Sequence, residues 1–113
     1  MESITDLTSS TVDALSALAQ EHRLSAFRLL VQAGDAGLPA GEIARELGIA
    51  PSSLSFHLSQ LSNAGLVSDE RQSRSIIYRA NYGAMSKLLE FLTENCCQGS
   101  ECAPKISPER NVK

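Results

Sequence analysis

Amphipathic segments in succession, a break of only a few residues between the third and the fourth, and a following pair of short runs rich in Val, Ile and Tyr predict a mainly α fold with a small β-hairpin, arranged as a winged helix-turn-helix. A first helix is predicted over residues 10–20, where Val12, Leu15, Leu18 and Ala19 recur at helical spacing. Ser10, with Asp13 three residues on, resembles a capping box at its start. A second helix is predicted over 21–33, with Leu24, Phe27, Leu30 and Val31 in one stripe and Gly34 and Gly37 as its stop. A short third follows Pro39 in GEIARELG, where Ile43 and Leu47 stand four apart and Gly48 ends the run. Pro51 suits the first turn of a fourth helix, PSSLSFHLSQLSNA, which Gly65 closes. Its Leu54, Leu58 and Leu61 form a single buried face, and Gly48, Ile49 and Ala50 supply a connection of helix-turn-helix length.

Residues 66–70 and 75–80 are predicted strands, joined by the polar stretch Arg71, Gln72, Ser73, Arg74 as the wing. A last helix over 82–95 carries Met85, Leu88, Leu89 and Leu92 on one side, widened by Phe91 and Ala84. A stripe that wide can touch two surfaces, its own domain and a partner. The expected organisation is one domain over 6–95, a cysteine segment over 96–102, and a tail over 103–113 whose two prolines and lack of apolar periodicity predict disorder.

At 113 residues the chain has room for one domain, which excludes a catalytic domain joined to a regulatory one. A domain this small buries only about 60–65% of its unfolded surface, which favours extra burial through dimerisation. The opening MESITDLTSS is acidic with no apolar core, and no apolar run exceeds three residues, so the expectation is a cytoplasmic protein with no membrane partner. The net charge of −3 argues against a nucleic-acid partner until it is resolved by region. Residues 1–40 hold five acids against two bases, whereas 41–82 and 83–113 are each balanced at four and four. The acidic excess therefore lies away from the predicted reading head.

The fourth helix contains no Asp or Glu, and 100° per residue puts Ser52, Ser53, Ser55, Phe56, Ser59, Gln60 and Asn63 opposite its leucines. The helix's five serines, Ser62 included, with Gln60 and Asn63 suit hydrogen bonding to base edges or phosphates in a major groove. Phe56 is the exception on that face; it either meets a thymine methyl or packs against a neighbouring side chain. His57, at the edge of the buried face, is expected to be a hydrogen-bonded structural histidine rather than a base reader. The wing supplies positive charge: Arg71 and Arg74 flank its tip, Arg79 lies on its return strand, and no acid occurs from Arg71 to Lys87. Arginines at a hairpin tip also serve solubility alone, and that reading stands beside phosphate contact.

All three cysteines, Cys96, Cys97 and Cys102, fall within ENCCQGSEC. An odd, clustered set is no disulfide framework, and in a cytoplasmic chain it reads as reduced thiols that bind metal or respond to oxidation. Adjacent helical residues diverge by about 100°, so Cys96 and Cys97 can meet one ion only if the helix stops there. Three thiolates without a nearby histidine favour soft, thiophilic species over Mg²⁺ or Ca²⁺, and zinc would want a fourth ligand such as water or Glu101. With His22 and His57 both in the predicted head, no base reaches the thiols, so an enzyme is not expected. The plain alternative is that the cysteines are incidental on a mobile tail.

The stretches ALAQEHRLSAFRLL, GEIARELGIAPSSLSFHLSQLSNAGLV and ERQSRSIIYRA together resemble the ArsR/SmtB family of metal- and metalloid-sensing repressors, and LSFHL followed by NAGLV is the most specific part. The terminal cysteines resemble the arsenic-responsive subgroup whose site lies at the end of the last helix. The resemblance implies a homodimer packed through its first and last helices, bound to double-stranded operator DNA and released by arsenite or antimonite. It implies Ser52, Ser53, Ser55, Phe56, Ser59 and Gln60 in the groove, Arg71 and Arg74 on phosphates, and Cys96, Cys97 and Cys102 on trivalent arsenic. The chain departs from well-known members in having no cysteine over 41–47 and no histidine over 84–94, which moves the inducer site to the cysteine segment and disfavours zinc sensing. Two other readings remain: a winged-helix repressor whose cysteines sense oxidation, and a protein-binding winged helix with structural zinc.

Overall fold

The computed structural model describes residues 4–99. Its elements are α1 (Ile4–Leu18), α2 (Glu21–Ala33), β1 (Leu38–Pro39), α3 (Ala40–Leu47), α4 (Pro51–Asn63), β2 (Val67–Gln72), β3 (Ser75–Ala80) and α5 (Tyr82–Thr93), with 3-10 turns at Gly34–Ala36 and Cys96–Gly99. The sheet order is β1-β3-β2, all antiparallel, with Val67 opposite Ala80 and Gln72 opposite Ser75. This is the predicted winged helix-turn-helix. The predicted tail over 103–113 lies outside the described residues.

Three expectations are corrected. α1 begins at Ile4, so Ser10 lies inside it and caps nothing. Its inward face is Ala14 and Ala17, while the bulkier Val12 and Leu15 of the expected stripe point outward. Small residues let α1 approach its own domain closely, with Leu18 also packed against the core, and Val12 and Leu15 are left on the far side. The third change is β1, which sequence periodicity did not predict: Leu38 pairs with Tyr78 and Pro39 with Ile77. A two-residue strand is too short to show alternation.

Leu30, Ile43, Leu54, Leu58, Leu61 and Leu66 are the largest fully buried side chains, so the core lies where α2, α3 and α4 meet the root of the wing. Local signals explain the helix-turn-helix corner. Gly48 adopts the left-handed conformation (φ 68°, ψ 35°) and its N–H donates to Ala44 O at 2.9 Å, ending α3. Ala50 is extended, as a residue before proline prefers, and Pro51 opens α4 where no N–H is needed. Gly65 (φ 77°) closes α4, with the Leu66 N–H donating to Leu61 O at 3.0 Å.

Candidate nucleic-acid interface and thiol site

With Leu54, Leu58 and Leu61 buried, Ser52, Ser53, Ser55, Phe56 and Ser59 are exposed on the opposite face of α4. Gln60 is half-buried, because it lines a polar cleft of 410 Å³ with Asp13, Ser16, Arg23 and Asn63 rather than standing clear of the fold. Phe56 is 57% exposed, and its ring meets the ring of His57 edge-on at 5.6 Å. His57 is half-buried, with Nδ1 3.2 Å from Arg23 Nη1. It is the hydrogen-bonded structural histidine expected of its position.

The wing separates its three arginines. Arg71 and Arg74 are exposed, with no ion pair among the described residues, and Ser73 between them takes a left-handed φ of 57° to turn the hairpin. Arg79, counted with them as wing charge, is consumed internally. Its Nε donates to Asp35 O at 2.7 Å and its Nη1 pairs with Glu70 Oε1 at 2.8 Å. It fastens the turn after α2 to the sheet and is no free phosphate contact.

Asn81 carried no weight in the sequence, yet it joins two elements. Its Oδ1 accepts from Ala84 N at 3.2 Å as the N-cap of α5, its Nδ2 donates to Gly65 O at 2.9 Å, and its backbone N–H donates to Leu66 O at 2.8 Å. An asparagine ahead of an amphipathic run signals the cap. Nothing local signals the bond to Gly65, 16 residues earlier. α5 then shows two faces: Ala84, Met85 and Leu88 pack on the core, while Leu89 and Leu92 are 50% and 55% exposed.

α5 stops at Thr93, and Asn95, Cys97 and Gln98 all take left-handed backbone conformations (φ 56°, 56° and 57°). The α-helix has therefore ended before Cys96 and Cys97, which is the condition a shared ligand sets. Cys96 is half-buried and disulfide-bonded, which differs from the three reduced thiols expected. Cys97 is exposed, and Cys102 lies outside the described residues. Among the described residues no three His, Cys, Asp or Glu side chains form a metal-holding group, and no helix is long and apolar enough to cross a membrane.

A helix-turn-helix face opposite a leucine core, with an arginine-tipped wing beside it, defines a DNA-binding regulator. Comparison with known proteins agrees. A family described as a helix-turn-helix domain matches residues 18–70. The transcriptional activator HlyU of Vibrio cholerae is 30% identical over 77% of this chain and 78% of its own length. The HTH-type transcriptional regulator YgaV of Escherichia coli is 28% identical over 86% of this chain and 99% of its own. Among solved structures, an ArsR-like transcriptional regulator from Rhodococcus sp. RHA1 superposes with a TM-score of 0.70 at 25% identity, covering 81% of this chain and 84% of that one. The chain belongs to the ArsR/SmtB family of winged helix-turn-helix transcriptional regulators.

Proposed function

We propose that the protein is a metalloid-responsive repressor. It binds double-stranded operator DNA as a homodimer through α1 and α5, and leaves when trivalent arsenic, or antimony, binds Cys96, Cys97 and Cys102. On the DNA, Ser52, Ser53, Ser55, Phe56, Ser59 and Gln60 meet the major groove while Arg71 and Arg74 meet phosphates. The observation that supports the inducer is the end of α5 at Thr93 and the left-handed turn after it, so that the two adjacent thiols are not held on an α-helix. Arsenous acid exchanges each hydroxyl for a thiol sulfur with release of one water, so three cysteines complete its trigonal shell. The Cys96 disulfide has to be reduced before the metalloid binds.

Closure of three sulfurs around one atom fixes the end of α5, whose start Asn81 bolts to the exit of α4. A shift of α5 thus moves the recognition helix away from the roughly 34 Å spacing of successive major grooves. A hundredfold loss of operator affinity needs the ligand to prefer the released state by only about 2.7 kcal/mol.

A second reading, oxidation in place of arsenic as the signal, is favoured by the disulfide at Cys96. One titration separates the two. Arsenite added to the protein on a duplex from its own upstream region, under strictly reducing conditions, releases the wild type but not Cys96→Ser or Cys102→Ser. No release by arsenite, with release by a thiol oxidant, gives the signal to redox chemistry. Absence of salt-dependent binding to any duplex removes the repressor reading altogether.

A further inference from the structure

Three elements meet at one guanidinium. Arg23 sits in the first turn of α2, where Gln20 Oε1 caps the helix by accepting from the Arg23 N–H at 2.9 Å. Its Nε donates to Ala17 O at 2.7 Å, occupying a carbonyl in the last turn of α1 that has no helical partner to come. Its Nη1 stands 3.2 Å from His57 Nδ1 on α4. A guanidinium only donates, so Nδ1 accepts, the ring proton sits on Nε2, and His57 is neutral in this arrangement. The His57 ring in turn lies 5.6 Å from those of His22 on α2 and of the groove-facing Phe56.

We propose that Arg23 is a positioning residue for DNA recognition: acting through His57, it holds α4 and the Phe56 ring in register with α1, and operator binding is lost when His57 takes a second proton. The inference rests on the operator-binding reading above. Protonation removes the acceptor at Nδ1 and sets a cation against Arg23, so the donor and the ring push apart where they had joined. The charged groups around this contact are Asp13 on α1, which lines the polar cleft beside Arg23, and Glu21, His22 and Arg23 on α2; α4 brings no charged side chain.

Burial first, then the Arg23 and His22 charges, lower the His57 pKa below the ordinary imidazole value. With the folded-state value depressed, the contact is intact at neutral pH and above and is lost as the pH falls through that depressed value, below the ordinary one. This direction opposes the general trend of DNA binding, which strengthens as histidines gain charge.

The test is operator affinity against pH at fixed salt, with circular dichroism at each pH to confirm the fold. Wild type is expected to lose about tenfold in affinity between about pH 7.5 and pH 5. His57→Gln keeps an acceptor for Arg23 and cannot titrate in this range. It should bind like wild type at pH 7.5 and lose no more than about twofold on acidification. Arg23→Met should bind about tenfold more weakly at pH 7.5 and show no further acid loss. An acid loss that persists in His57→Gln, or wild-type affinity in Arg23→Met, overturns the proposal while leaving the repressor standing. Absence of wild-type operator binding at pH 7.5 overturns both.

Discussion

Gly37 shows how one residue sets the geometry of the wing root. Its φ of 68° is left-handed, and a Cβ placed there would lie 2.5 Å from Tyr78 O and 2.8 Å from Arg79 Cγ. The backbone turn and the closeness of β3 both demand glycine. Gly37→Ala is expected to lower stability by about 3 kcal/mol in chemical denaturation, from backbone strain and overpacking together. Gly48 and Gly65 share the positive φ, but a Cβ at either has open space, so alanine there costs only the backbone strain. Sequence marked Gly37 as a helix stop. Its approach to β3 was invisible because the partner residues lie some forty positions later. A similar distance hid the bond of Arg79 to Asp35 O, 44 positions away, whereas Glu70, nine positions away, is its neighbour across the hairpin.

Among the elements, α4 was the most legible, because its determinants are all local: proline at its start, glycine at its end, leucines at i, i+4 and i+7 between. Among the helices, α1 was the least legible. Its apolar residues are helical whichever side they face, and only the packing of Ala14 and Ala17 against the core tells inside from outside. The joint between α4 and α5 depends on Asn81, which satisfies the α5 N-terminus and the Gly65 carbonyl together. Asn81→Ala is expected to cost about 1–2 kcal/mol of stability by thermal melting. In the proposed signalling route it also uncouples α5 from α4, so arsenite should release Asn81→Ala from operator less completely than wild type. A variant that is destabilised yet released as fully as wild type would leave Asn81 a structural cap alone.

At the scale of the molecule, four of the six exposed large apolar side chains among the described residues lie on the two terminal helices: Val12 and Leu15 on α1, Leu89 and Leu92 on α5, with Leu24 on α2 and Phe56 on α4 the others. Burial of one such side chain contributes about 1.5–3 kcal/mol, and a two-fold axis counts each residue twice. A Leu89→Glu substitution places two carboxylates in such an interface. It is expected to yield a folded monomer by sedimentation, with operator affinity reduced by at least about a hundredfold as two-site binding is lost. A dimer that survives Leu89→Glu would put the interface elsewhere.

The order of helices, the corner at Gly48, the acid-free outer face of α4 and the concentration of thiols after α5 were determined by the sequence alone. Each depends on residues within a few positions of one another, whose backbone preferences and periodicity act before any long-range contact forms. Only the tertiary structure decided which arginine of the wing stays free, which face of α1 is inward, that Leu38 and Pro39 join the sheet, and that Arg23 and Asn81 tie the recognition helix to its neighbours. The contacts of Arg79 with Asp35, Arg23 with His57, Asn81 with Gly65 and Leu38 with Tyr78 join residues 16 to 44 positions apart. A one-dimensional pattern carries the propensity of a side chain to bond or bury, and the partner it finds is set by how the helices pack.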